Sequence, residues 1–200
     1  MKKFVYLISP NKIDKYFYKK LDLVLSYGNV NFFQLRLKNL QLQNLIEIGK
    51  KIKKITLKYR VKFLINDNYK IAIKLKADGC HMGQSDGSVK IAKKILKKKI
   101  IGVTCHNSKI LAKKAIKDNA DYLAFGSFFE SKLKPNAKKT DLKILRWSKK
   151  NIKKPIVAIG GINNLNYNRL IKSGANYIAI SSFIWDNPKL KPELAIRKFK

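Results

Sequence analysis

The feature that most constrains this chain is a strict alternation, in which short apolar runs of strand character change places with amphipathic helical patterns eight times over. Strand candidates are Phe4 to Ile8, Phe32 to Leu37, Phe63 to Ile65, Gly79 to Met82, Ile100 to Thr104, Tyr122 to Phe125, Ile156 to Ile159 and Tyr177 to Ile180. The helical patterns are Lys15 to Ser26, Leu42 to Lys58, Tyr69 to Lys76, Val89 to Lys97, Lys109 to Asn119, Asp141 to Lys149, Leu165 to Ser173 and Glu193 to Phe199. A helix after each strand returns the chain to the same end of the sheet, so the strands run parallel. Eight such units favour an α/β fold of one kind, a closed (β/α)8 TIM barrel with an outer ring of helices. The open, doubly wound alternative wants a glycine fingerprint after the first strand, where this chain has Ser9-Pro10-Asn11-Lys12. No long linker breaks the pattern, and residues 1–200 are expected to form a single domain.

The net charge of +33 first suggests a nucleic-acid or anionic membrane partner. The lysines argue otherwise, because in stretches such as Ile48 to Ile55 and Lys90 to Lys97 they fall between apolar residues at helical spacing and so on the solvent side. No arginine-rich or aromatic stacking motif accompanies them. No apolar run is long enough to span a bilayer, and the stretch Phe4 to Ile8 is too short for a signal-peptide core. With two widely separated cysteines, Cys80 and Cys105, the expected setting is a reducing cytoplasm without a disulfide framework.

In a barrel, polar residues at the carboxyl ends of the strands converge on one mouth. Asp67 and Asp86 follow the third and fourth strands, and both are hard oxygen ligands suited to magnesium, which completes its shell with water and phosphate oxygens. Each could instead cap the helix that follows it. The second strand ends in Gln34, Arg36 and Lys38, which period-two alternation sends to one face, a cationic set suited to an anion with several oxygens. Asn66 stands beside Asp67, and Thr104 and His106 end the fifth strand. The connection after the sixth strand is long, making Ser131 and Lys134 candidates to close over an anion. Gly160 and Gly161 after the seventh strand, with Ser181 and Ser182 after the eighth, sit where such barrels hold a phosphate on backbone N–H groups. Two anion sites at one mouth suit the joining of a diphosphate to a monophosphate.

Taken together, the segments Gln34-Leu35-Arg36-Leu37-Lys38, Ile65-Asn66-Asp67, Asp78 to Asp86, Gly102 to His106, Ala158 to Ile162 and Ile180-Ser181-Ser182 resemble the thiamine-phosphate synthase family over nearly the whole chain. The resemblance implies a transferase that condenses hydroxymethylpyrimidine diphosphate with hydroxyethylthiazole phosphate and releases diphosphate. It implies that Gln34, Arg36, Lys38, Asn66, Thr104 and Lys134 hold the pyrimidine diphosphate, with Arg36, Lys38 and Lys134 catalytic. It implies that Asp67 and Asp86 ligate Mg2+, and that Ser131, Gly161, Ser181 and Ser182 meet the thiazole phosphate. The chain departs from the family pattern at Leu37 and Ser85, where acidic residues are common, and at Glu130 to Lys134, where Leu133 replaces a hydroxyl residue.

Two other readings compete. A thiazole tautomerase shares this barrel and moves a proton, which would make His106 the acid-base group and leave Arg36, Lys38, Asp67 and Asp86 without a task. A noncatalytic nucleic-acid binder would use the lysine surface and bind less tightly as salt rises.

Overall fold

The computed structural model describes residues 3–130 and 140–200. Eight strands, β1 (Val5–Ile8), β2 (Val30–Leu35), β3 (Lys62–Asn66), β4 (Gly79–Met82), β5 (Ile100–His106), β6 (Tyr122–Phe125), β7 (Ile156–Ile159) and β8 (Tyr177–Ile180), form a closed barrel in sequence order. Every neighbouring pair is parallel, and β8 returns to β1. The helices α1 (Phe17–Ser26), α2 (Leu42–Lys58), α3 (Tyr69–Lys74), α4 (Val89–Leu96), α5 (Lys109–Lys117), α6 (Lys143–Asn151) and α7 (Tyr167–Ser173) return the chain between strands. The short α8 (Ser182–Trp185) and α9 (Pro192–Ile196) follow the last strand.

Strands buried on both faces must be apolar throughout, and β1, β4 and β6 are buried at every position. Two cores result. Tyr6, Ile8, Phe32, Leu64, Tyr122, Ala124, Val157 and Ala179 fill the barrel. Residues pointing the other way, such as Leu7, Phe33, Phe63, Ile65 and Ile178, meet Leu21, Ile52, Ala72, Ala112 and Leu145 of the helix layer. The helices bury narrow stripes and leave their lysines outside, as expected from the pattern. The barrel interior is crowded enough to require glycine at position 102, where a Cβ would enter the Tyr122 ring.

The amino-terminal end of the barrel is tied by a repeated device. Asp78, Asp121 and Asn176 each precede a strand by one residue and accept from the first N–H groups of the previous one, at Phe63, Ile101 and Ile156, over 2.8–2.9 Å. Asp78 and Asp121 are thereby structural, at the end of the barrel away from Asp67 and Asp86.

Candidate active site at the barrel mouth

The site begins at the ends of β3 and β4. Asp67 follows Asn66 with a left-handed backbone (φ 64°), and its N–H donates to the His81 carbonyl at 2.7 Å, which turns its side chain away from the line of the strand. Asp86 accepts from the Gly83 N–H at 2.6 Å. Neither caps a helix: Asn68 accepts from Lys70 and Ile71 at the start of α3, and Ser88 from Ile91 at the start of α4. The two carboxyls meet each other instead. Burial, then the hydrogen bond and charge of Asp86, raise the Asp67 carboxyl to about 6, against the opposing pull of Arg36 and Lys38. Two hard carboxylates held together against their own repulsion, with two cations alongside, fit a hard dication bound to an anionic ligand. Among the described residues no third acidic, histidine or cysteine side chain joins them, so water or ligand oxygens would complete such a shell.

The second strand differs from expectation. It ends at Leu35, and Arg36, Leu37 and Lys38 continue as irregular chain, so strand alternation does not carry Arg36 and Lys38 into the barrel. Gln34 alone of the three is buried. Arg36 is half-buried and pinned through its backbone, its N–H donating to Ser9 Oγ at 2.9 Å and its carbonyl accepting from the same hydroxyl at 3.3 Å. Its guanidinium reaches Asn11 Oδ1 at 3.5 Å, while Lys38 is exposed. Both cations still act on Asp67, so the structure brings the cationic pair and the acidic pair to the same rim.

Inside the rim lies a polar strip that the sequence patterns do not single out. Gln34 Nε2 donates to Asn66 Oδ1, and Gln34 Oε1 accepts from the Tyr6 hydroxyl at 3.0 Å. Tyr6 and Tyr122 join hydroxyl to hydroxyl at 2.7 Å. His81 lies between Tyr122 and Thr104, with Nδ1 2.8 Å from the phenol and Nε2 2.8 Å from Thr104 Oγ1. The Gln84 side-chain amide also donates to the Thr104 carbonyl. Tyr6, Tyr122 and His81 were not among the candidates, yet they connect three that were: Gln34, Asn66 and Thr104. The glycine in β5, Gly102, where a Cβ would enter the Tyr122 ring, is the sequence signal of this close approach. His106 is exposed, with φ 50°, and stands apart from the strip.

On the opposite side of the mouth, Gly160 (φ 106°) and Gly161 (φ 60°) lie under the chain leaving β6; a Cβ on the first would meet Ser127, and on the second the Glu130 carbonyl. Phe128 N–H donates to the Ile159 carbonyl and Phe129 N–H to that of Gly160, both at 3.1 Å. These glycines therefore have a packing role as well as their position at the mouth. Ser181 is buried and donates to the Ser9 carbonyl at 3.1 Å, and Ser182 opens α8, a four-residue helix absent from the sequence reading. Ser131 and Lys134 lie outside the described residues. A separate cavity of about 640 Å³ opens at the other end of the barrel, lined by Phe4, Lys153, Pro155, Tyr167 and Tyr177. None of the convergent polar groups above borders it.

Comparison with known proteins finds matches along nearly the whole chain. The profile of a family described as thiamine monophosphate synthase matches residues 5–184. The thiamine-phosphate synthase of Pelagibacter ubique is 59% identical over 200 residues, covering 100% of this chain and 97% of that protein. That of Methanobrevibacter smithii is 35% identical over 199 residues, covering 98% and 95%. Among solved structures, the thiamine phosphate pyrophosphorylase of Pyrococcus furiosus superimposes with a TM-score of 0.87 at 30% identity, covering 98% of this chain and 93% of that one.

Proposed function

The chain belongs to the thiamine monophosphate synthase family, and on that premise we propose how its barrel mouth performs the synthase reaction. It is a transferase that joins hydroxymethylpyrimidine diphosphate to hydroxyethylthiazole phosphate and releases diphosphate. The observation that carries this reading is the meeting of two carboxylates, Asp67 and Asp86, beside two cations, Arg36 and Lys38, at the carboxyl ends of adjacent strands.

As the bond from the pyrimidine methylene to diphosphate breaks, negative charge gathers on the leaving oxygens. Arg36 offers a planar fork to those oxygens and Lys38 a mobile point charge, with Lys134 a third cation by family resemblance. A magnesium ion held by Asp67 and Asp86 would neutralise diphosphate oxygens without a proton transfer. Gln34, Asn66 and Thr104, fixed by the polar strip, bind and orient the pyrimidine. Gly161, Ser181 and Ser182, with Ser131, hold the thiazole phosphate where its ring nitrogen can attack the methylene carbon. No protein nucleophile is required, because the leaving group departs as a stabilised anion and the electron-rich aminopyrimidine delocalises the positive charge left behind.

The tautomerase reading would need an acid-base group at His106, and that side chain stands outside the strip. As for setting, among the described residues no helix is long and apolar enough to cross a membrane, and we place the enzyme in the cytoplasm as one domain acting on small molecules, with no specific nucleic-acid partner. Diphosphate release by the purified protein tests the proposal: release that requires both substrates and Mg2+ is expected, and a folded protein that releases none would overturn it.

A further inference from the structure

The polar strip in the barrel has a direction. Tyr6 and Tyr122 are fully buried phenols, and desolvation holds both well above the ordinary tyrosine range, so each keeps its single proton. The Gln34 amide donates through Nε2 to Asn66, which turns Oε1 toward Tyr6. The Tyr6 proton is therefore spent on Gln34. Its oxygen can only accept in the 2.7 Å contact with Tyr122, so Tyr122 donates there. With its own proton spent, the Tyr122 oxygen accepts from His81 Nδ1, over 2.8 Å. A neutral imidazole that donates through Nδ1 accepts at Nε2, and the group facing Nε2 at 2.8 Å is the Thr104 hydroxyl.

We propose that Tyr6, Tyr122 and His81 are positioning residues that polarise the mouth: each bond in the strip points from Thr104 toward Asn66, leaving Thr104 Oγ1 as an acceptor and Asn66 Nδ2 as a donor for the substrate. The two ends sit on β5 and β3, on either side of β4, and face the mouth from half-buried positions. A ligand must then offer a donor to one side and an acceptor to the other. An exocyclic amine beside a bare ring nitrogen has that pattern, whereas the hydroxyl-for-amine analogue in its pyrimidinone form sets an oxygen acceptor beside a ring N–H and reverses both positions. The strip thereby selects an aminopyrimidine over a hydroxypyrimidine, a conclusion that rests on the synthase reading for the identity of the ligand but not for the direction of the bonds. A rule of this kind is strong because a buried donor facing a donor leaves both unmade.

The direction can be read without substrate. The chain has two histidines, so 15N-histidine labelling of the His106→Asn variant leaves His81 alone in the spectrum. The expected signature at neutral pH is an imidazole protonated at Nδ1 with a bare Nε2. Protonation at Nε2 would reverse every bond in the strip and overturn the proposal, and a ring protonated at both nitrogens would overturn it as well. The second arm is kinetic. Thr104→Val, which keeps shape and loses the hydroxyl, should raise KM for the pyrimidine diphosphate about tenfold, the size of one unmade hydrogen bond, and leave KM for the thiazole phosphate unchanged. Thr104→Ser should restore it. Equal changes in both KM values, or no rescue by serine, would reduce the strip to a packing feature. Should wild-type protein turn over neither substrate, the synthase reading fails while the histidine spectrum still decides the direction of the strip.

Discussion

Asp67 and Asp86 meet carboxyl to carboxyl beyond the ends of β3 and β4, while the caps of the following helices are supplied by their neighbours Asn68 and Ser88. This division of labour separates stability from chemistry. Replacing Asn68 or Ser88 by alanine should cost about 1 kcal/mol of stability and little activity. The aspartates should behave in the opposite way.

The acidic pair makes stability depend on pH in an unusual sense. The Asp67 carboxyl stands at about 6 in the folded protein against an ordinary 3.8. A raised folded value contributes stability below about 3.8 that is lost as pH rises through about 6. The metal-free melting temperature should therefore fall across that window. Magnesium should raise it above the window and do little below it, and Asp86→Asn should flatten the fall. Melts with and without Mg2+ on both proteins check this; a melting temperature indifferent to Mg2+ at neutral pH would deny the metal site.

The aspartates at opposite ends of the barrel should part company on mutation. Asp78 accepts from the Phe63 N–H at the amino-terminal end. Asp78→Ala should lower stability by about 1–3 kcal/mol through the unpaired donor, and leave kcat/KM intact once the protein is folded. Denaturant unfolding alongside steady-state rates measures both.

Arg36 holds its place through the backbone, tied to Ser9, so its side chain can be changed without moving the chain. Arg36→Ala should lower kcat/KM for the pyrimidine diphosphate by about 10–100-fold, and Arg36→Lys should recover only part of that, since a point charge replaces a fork. Full recovery with lysine would show that charge alone matters there.

His106 is exposed and outside the polar strip. His106→Ala should leave the rate of diphosphate release unchanged. A loss of about 100-fold or more, the size of a missing general acid or base, would favour the proton-transfer reading.

Much of this was legible in the sequence where one element carries its own signal. The bounds of β4, β6, β7 and β8 agree with the apolar runs, because strands buried on both faces announce themselves. The second strand lies two residues earlier than its pattern suggests, at Val30–Leu35 rather than Phe32 to Leu37, since the alternation of Gln34, Arg36 and Lys38 continues past Leu35, where pairing with β3 stops. The four residues of α8 are too few to show a helical period. The Tyr6, Tyr122 and His81 strip escaped for another reason: its members are strangers in sequence, with Tyr6 and Tyr122 separated by 116 positions. Inward-facing tyrosines read as core until barrel closure brings their hydroxyls together.

The central claim is that the Asp67 and Asp86 pair serves departure of diphosphate, and the most direct test is diphosphate release by purified protein given the pyrimidine diphosphate, the thiazole phosphate and Mg2+, with Asp67→Asn in parallel. The account predicts release that requires both substrates and the metal, and that falls by about 100-fold or more in the variant, as expected when a ligand to the charge-stabilising ion is lost. A folded wild-type protein that releases no diphosphate, or an Asp67→Asn variant that releases it at the wild-type rate, would contradict it.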